Sequence, residues 1–311
     1  MTPATAFLFA VALLSAAVMG AAIQRGATCM VAAVDEALVG RSFGRAGALL
    51  EAALWVGGLI ALIQLVGVRT PAPLAYAVSH VTVLGGMLLG LGAWVNRACV
   101  FGSVARIGSG QWAWLATPVG FFLGCLPALG NPGGVAAELS PAVLLVMTTG
   151  FVVLAAWRLR AAAKAPNMLQ YLSHPHRATL MIAITFVSTT LTVGAWAYTD
   201  ALAALARPMK GMDPQVVLRG VMALALLGGA IVGGRLARTF APLPARPGDV
   251  LRCLAGGALM GIGAQLVPGG NDGLIMQGLP FLQPHAWVAV SAMVLTISVL
   301  ITVTYRVARP N

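Results

Sequence analysis

Apolar positions in this chain run on for about 20 residues at a time, the length needed to cross a bilayer core. Such runs occur near residues 3–24, 46–67, 73–95, 111–130, 137–157, 178–199, 215–234, 249–266 and 285–305. The pattern predicts about nine transmembrane helices. Four further stretches, 27–38, 98–107, 200–206 and 271–279, are too apolar for ordinary loops and too short to span. They read as short re-entrant helices or buried turns, which a bilayer tolerates only where protein or a polar cavity satisfies the backbone. The expected fold class is an all-α polytopic membrane protein.

One stretch is written twice. Residues 85–102 and 256–273 agree at five glycines, one leucine and one alanine, with Cys99 aligned to Gly270. The same offset of 171 residues pairs Thr28 with Thr199, Cys29 with Asp200, and Ala32-Ala33 with Ala203-Ala204. Five crossings separate the starts of the two units. An odd number reverses orientation, so the expectation is two inverted repeats, 1–135 and 178–311, joined by a connecting helix and basic loop over 136–177.

Composition agrees with the pattern. Of 311 residues 59% are hydrophobic and 9% charged, with a mean hydropathy of +0.90, whereas soluble domains carry about 25% charged residues. A net charge of +11 in a soluble protein would suggest nucleic acid. Here 15 of the 19 Lys and Arg residues follow crossings 1, 3, 5, 7 and 9, and only Arg69, Arg207, Lys210 and Arg219 lie on the other side. The positive-inside rule explains the charge without nucleic acid and places the N-terminus outside and the C-terminus in the cytoplasm. The first span follows Met1-Thr2-Pro3 with no basic segment, as in a retained helix rather than a cleaved signal. The four cysteines are scattered, so neither a metal site nor a disulfide framework is expected. No nucleotide-binding or hydrolytic motif occurs, which argues against an enzyme, a cofactor or an ATP-driven step.

The residues able to carry chemistry cluster at the breaks. Gly90, Gly92, Gly261 and Gly263 suit close helix packing as well as a solute path. Gly102 and Gly273 fall just after the breaks, where a half-helix N-terminus would point its amides into a cavity and attract an anion. Cys29 and Cys99 occupy re-entrant positions and could present thiols as weak donors, with Arg97 close by; Cys125 and Cys253 read as packing residues. Asp35 and Glu36 read as structural, near Arg41 and Arg45. Asp200 and Asp272 lie in the second pair of re-entrant pieces and would repel an anion unless paired, with Arg207 or Lys210 as partners for Asp200. His174 and His176 fall in the connector, and His80 and His285 near helix ends.

At these residues the chain resembles the YeeE/YedE sulfur-transport family of bacterial inner-membrane proteins. Gln24-Arg25-Gly26-Ala27-Thr28-Cys29 is similar to the family's first cysteine segment. Asn96-Arg97-Ala98-Cys99-Val100-Phe101-Gly102, followed by Gly108-Ser109-Gly110, is similar to its Gly-Cys-x-x-Gly motif and trailing Gly-x-Gly. The stretch 256–264 matches its second glycine-rich helix. The resemblance implies an inverted-repeat bundle that passes a small sulfur-containing ion such as thiosulfate along a series of cysteines, with a cytoplasmic sulfur-carrier protein as receiver and membrane lipid around it. The substrate path so implied comprises Cys29, Cys99, Gly102, Gly270, Asn271 and Gly273. The chain departs from the family at one place: Pro268-Gly269-Gly270-Asn271-Asp272-Gly273 stands where the family reads Pro-Gly-Cys-Asn-x-Gly. The outer cysteine is missing. A different solute on the same scaffold, or a membrane partner that transports nothing, are the alternatives this leaves.

Overall fold

A computed structural model describes residues 3–26, 29–68, 70–71, 74–127, 129, 133–136, 139–166, 178–207 and 214–308. The elements of the first half are α1 (Pro3–Gly26), α2 (Met30–Leu38), α3 (Gly44–Leu65), α4 (His80–Asn96), α5 (Val100–Gly108) and α6 (Ala116–Cys125), the last preceded by a 3₁₀ turn, Trp112–Leu115. A connecting helix α7 (Pro141–Ala163) follows. The second half holds α8 (Ala178–Val193), α9 (Tyr198–Ala206), α10 (Pro214–Leu236), α11 (Pro247–Leu266), α12 (Gly270–Gly273, continuing as a π-helical turn Leu274–Gly278) and α13 (Pro284–Ala308). Proline opens α1, α7, α10, α11 and α13, where its missing N–H loses no hydrogen bond and its fixed φ suits the first turn. Ser140 caps α7 by accepting from Val143 N at 3.3 Å.

Among the described residues six helical stretches are long and apolar enough to cross a membrane, and eight if each bent pair counts as one span. The bent pairs are α8 with α9, at 43°, and α11 with α12, at 51°. The fourth expected crossing, 111–130, is shorter than a span, with a four-residue 3₁₀ turn leading into the ten-residue α6. The third begins at His80 rather than residue 73, because Leu74–Ala75 pairs as an antiparallel strand with Val135–Ala136. The sixth stops at Val193, and Thr199 belongs to the short helix after it. All four expected re-entrant stretches are short helices: α2, α5, α9 and α12 with its π turn.

The two halves pack in the same pattern. Pairing α1–α6 with α8–α13 in order, contact of α1 with α10 is matched by α8 with α3, α6 with α11 by α13 with α4, and α2 with α13 by α9 with α6. The counterparts α1 and α8 touch each other, as do α4 and α11. Glycine makes the last contact possible. A Cβ on Gly92 would stand 2.6 Å from Gly256 O, and one on Gly256 would stand 2.7 Å from Gly92 O. Gly85 and Gly263 meet in the same reciprocal way, at 3.0 and 2.8 Å. Residue 85 corresponds to 256 and residue 92 to 263, so each glycine faces the counterpart of the other, and α4 and α11 run antiparallel.

The connector α7 stands apart, with Met147 its buried residue. It is held to α3 at two levels. Phe151 lies against Gly58 and makes an edge contact with Trp55, ring centroids 5.4 Å apart. One helical stretch further on, Arg158 forms an ion pair with Glu51, whose carboxylate also accepts from Trp55 Nε1 at 3.1 Å.

Candidate functional site

The first cluster is built by the tips of α2 and α5. Cys29 and Cys99 are the N-cap residues of these helices, both in extended backbone. Cys99 Sγ accepts from Met30 N, the amide that follows Cys29, at 3.3 Å. Thus the thiol at one helix tip satisfies an otherwise orphaned amide at the other. Gly102 makes room for this arrangement: a Cβ there would stand 2.5 Å from Cys29 Sγ. Its role is close contact with the thiol, since the left-handed residue at this break is Arg97, φ 58. A buried polar brace holds the turn. Asn96 Nδ2 donates to Ala98 O and to Ser103 Oγ at 2.7 and 2.8 Å, Asn96 Oδ1 accepts from Thr117 at 3.0 Å, and Ser103 Oγ donates to Cys99 O at 3.1 Å.

The second cluster repeats the construction with different chemistry. The N-caps are Ala197 for α9 and Gly269 for α12. Cap to cap, Cys29 therefore corresponds to Ala197, three residues short of the expected offset, and not to Asp200. The amide of Thr199 donates to Asp272 Oδ2 at 3.0 Å, and the Thr199 hydroxyl donates to Asp272 Oδ1. A carboxylate now does at this helix tip what the Cys99 thiol does at the other. Gly269 and Gly270 both have positive φ, 107 and 50. The space beside Gly270 is taken as well: a Cβ there would run into the Thr199 hydroxyl and stand 2.8 Å from Thr199 Cβ. Gly273 faces Ala197 and the Asp200 carboxylate. Asn271 is fully buried, and neither its amide nitrogen nor its oxygen has a hydrogen-bond partner. The tips of α5 and α12 touch, which brings the two clusters together.

A cavity opens at each end of α4 and α11. One, of about 420 Å³, is lined by Tyr76, Thr199, Asp200, Arg207, Arg219, Gln265, Gly269, Gly270, Gly273 and His285. The other, of about 410 Å³, is lined by Arg97, Arg106, Arg246, Asp249 and Arg252, with Trp112 and Trp114. The residues before the first helical turn of α4 line one cavity, and those after its last turn line the other. Arg106 and Arg252 lie over the Trp114 ring at 4.6 and 5.3 Å, and Arg252 pairs with Asp249 at 3.1 Å. Both cavities are cationic at the wall, and the half-helix tips stand between them.

Of the residues anticipated, Cys29, Cys99 and Gly102 come together, as do Gly270, Gly273, Asp200 and Asp272. Arg97 lines the cavity on the cysteine side. The carboxylate of Asp272 is held by Thr199 rather than by a cation, and Asp200 shares its cavity with Arg207 without an ion pair. Lys210, the other expected partner, lies outside the described residues, as do Thr28, His174 and His176. The glycines ahead of the breaks serve packing: Gly86 and Gly90 abut α13, and Gly257 and Gly261 abut α6. Thr199, Asn96 and Arg219 had not been singled out for chemistry. Asn96 carried a signal, since an asparagine inside an apolar run must find partners.

A search of curated proteins returns no significant match. A family model described as Sulphur transport matches residues 25–132 and 129–299. Nearly the whole chain is covered, including both breaks and both cavities, so the chain belongs to the sulphur transport family of membrane proteins, the YeeE/YedE group.

Proposed function

We propose that the chain is a permease that passes a small sulfur-containing anion such as thiosulfate between its two cavities. The observation that carries this reading is the pair of arginine-bearing cavities at opposite ends of α4 and α11, with two pairs of helix tips between them, one pair capped by thiols. Cationic walls concentrate an anion. At the constriction, amides at half-helix N-termini favour negative charge, and thiols supply donors too weak to trap it. The path runs by Gly270, Asn271 and Gly273 to Gly102, Cys99 and Cys29. The two sets of six elements act as inverted repeats, 1–135 and 178–311, with 136–177 as connector, a division supported by the reciprocal glycine contacts of α4 and α11. The cavity bearing Arg97 faces the cytoplasm of a bacterial inner membrane, where a sulfur-carrier protein receives the product.

Uptake of radiolabelled thiosulfate by cells that depend on this protein tests the proposal. Replacement Cys99→Ala removes the acceptor for Met30 N and one thiol of the path, and uptake should fall at least about tenfold, the effect of about 1.4 kcal/mol at the barrier. Unchanged uptake would remove the thiols from the path. The filling of the space beside Gly270 by Thr199, which Asp272 holds in place, favours a second reading, a solute other than thiosulfate on the same scaffold. Competition of thiosulfate uptake by other small anions distinguishes the two.

A further inference from the structure

The permease reading leaves two carboxylates beside an anion's path. Asp272 is 2% exposed and accepts from the amide and hydroxyl of Thr199. Asp200 aims its carboxylate at the same turn: its oxygens lie 3.8 and 3.9 Å from where a Cβ on Gly273 would stand. Among the described residues neither acid forms an ion pair. Two further polar groups are sealed in beside them without partners. One is the Tyr198 hydroxyl, in a residue 5% exposed and within electrostatic reach of Asp272. The other is the Asn271 amide, next to Asp272 in the chain and fully buried.

Two carboxylates facing the same turn, one of them buried and neither in an ion pair, repel each other, and a shared proton is the usual resolution. The surrounding charges do not replace it. Arg207 at the end of α9 and Arg219 of α10 line the cavity with Asp200, where solvent screens them. Tyr76 and His285 line the same cavity, and Cys125 is the titratable group of α6. Arg106, the charge on α5, stacks on Trp114 beside the other cavity. Asp249, Arg252 and Cys253 sit in the first two turns of α11, at the end away from the pair. No third acid, histidine or cysteine completes a metal-binding group among the described residues.

We infer that Asp200 and Asp272 form a proton-binding site that loads one proton per transported anion. This rests on the permease reading. Asp200, half-buried and lining the cavity, exchanges the proton with solvent, and Asp272 holds it in the dry turn. Loading forms one O–H bond and removes one negative charge, which lowers repulsion of an anion arriving at the tip of α9. Release on the far side restores the carboxylate, with no electron transferred.

The full-length chain in proteoliposomes, with radiolabelled thiosulfate outside and a pH dye inside, reads the coupling. Thiosulfate entry should acidify the lumen, and flux should rise about tenfold per unit of outside acidification above the titration of the pair. In Asp272→Asn the slope should vanish. Flux without lumenal acidification or slope overturns the proton site and leaves the permease reading standing. Absence of thiosulfate flux counts against that substrate, and infrared spectra of the protein in detergent then decide the proton site without any solute. A protonated-carboxyl band at neutral pH should be present in the unaltered chain and lost in both Asp200→Asn and Asp272→Asn. No band in the unaltered chain, or a band that survives both substitutions, overturns the proposal.

Discussion

At the scale of single residues, the difference between the two helix-tip clusters is a replacement in three parts. Position 270 has lost its side chain, Thr199 fills the space beside it, and Asp272 takes the hydrogen bond that a thiol makes in the other half. Restoring the family cysteine alone therefore fails on packing. In Gly270→Cys the new Cβ runs into Thr199, and the backbone φ of 50 is unfavourable for any residue with a Cβ. We expect that variant to lose about 1–3 kcal/mol of stability, the usual range for overpacking, with thiosulfate uptake reduced. Adding Thr199→Ala removes the hydroxyl and methyl from the collision, leaving the Cβ of residue 199 at 2.8 Å, and should recover part of both, read as thermal unfolding in detergent and as uptake. Equal behaviour of the single and double variants would mean that Thr199 does not hold the space.

At the scale of elements, α4 and α11 depend on glycine for their mutual approach. Gly256→Val places a branched side chain within 2.7 Å of Gly92 O and Asn96 N, and should destabilise the chain by about 3 kcal/mol or more, because backbone cannot move aside as a side chain can. The α3–α7 junction gives a different failure. Glu51→Ala leaves Arg158 without its carboxylate and Trp55 Nε1 without its acceptor, and should cost about 3 kcal/mol, measured by thermal unfolding in detergent. Element positions were largely legible in the sequence because bilayer length and apolar runs constrain them. All four short helices follow from runs too short to span. The register of α9 was not legible: the repeat is strong over the glycine helices, but α8 ends four residues and α9 begins three residues before the positions that the offset of 171 gives, and only the N-caps Cys29 and Ala197 reveal it. The Thr199–Asp272 contact was hidden for the same reason, since it joins residues 73 apart across that shifted register.

At the scale of the whole molecule, orientation across the membrane depends on α7, which separates the two sets of six elements. Its 23 residues extend about 35 Å at 1.5 Å per residue, enough for a hydrocarbon core of about 30 Å. Val135, 72% exposed in the strand before α7, must then lie on one side of the bilayer, and Lys164, exposed at its C-cap, on the other. The basic count puts Lys164 with Arg97, Arg106, Arg246 and Arg252 on the cytoplasmic side. The four native cysteines are buried, so an introduced thiol reports its own position to a membrane-impermeant maleimide. We expect Val135→Cys to label in intact cells and Lys164→Cys to label only after the membrane is opened. The reverse pattern would turn the molecule over, placing the cavity with Arg207 and Arg219 in the cytoplasm and inverting the direction of the proposed path. Labelling of both in intact cells would mean that α7 does not span. Because the principal packing of α7 among the described residues is on α3, this test reads topology without touching either helix-tip cluster.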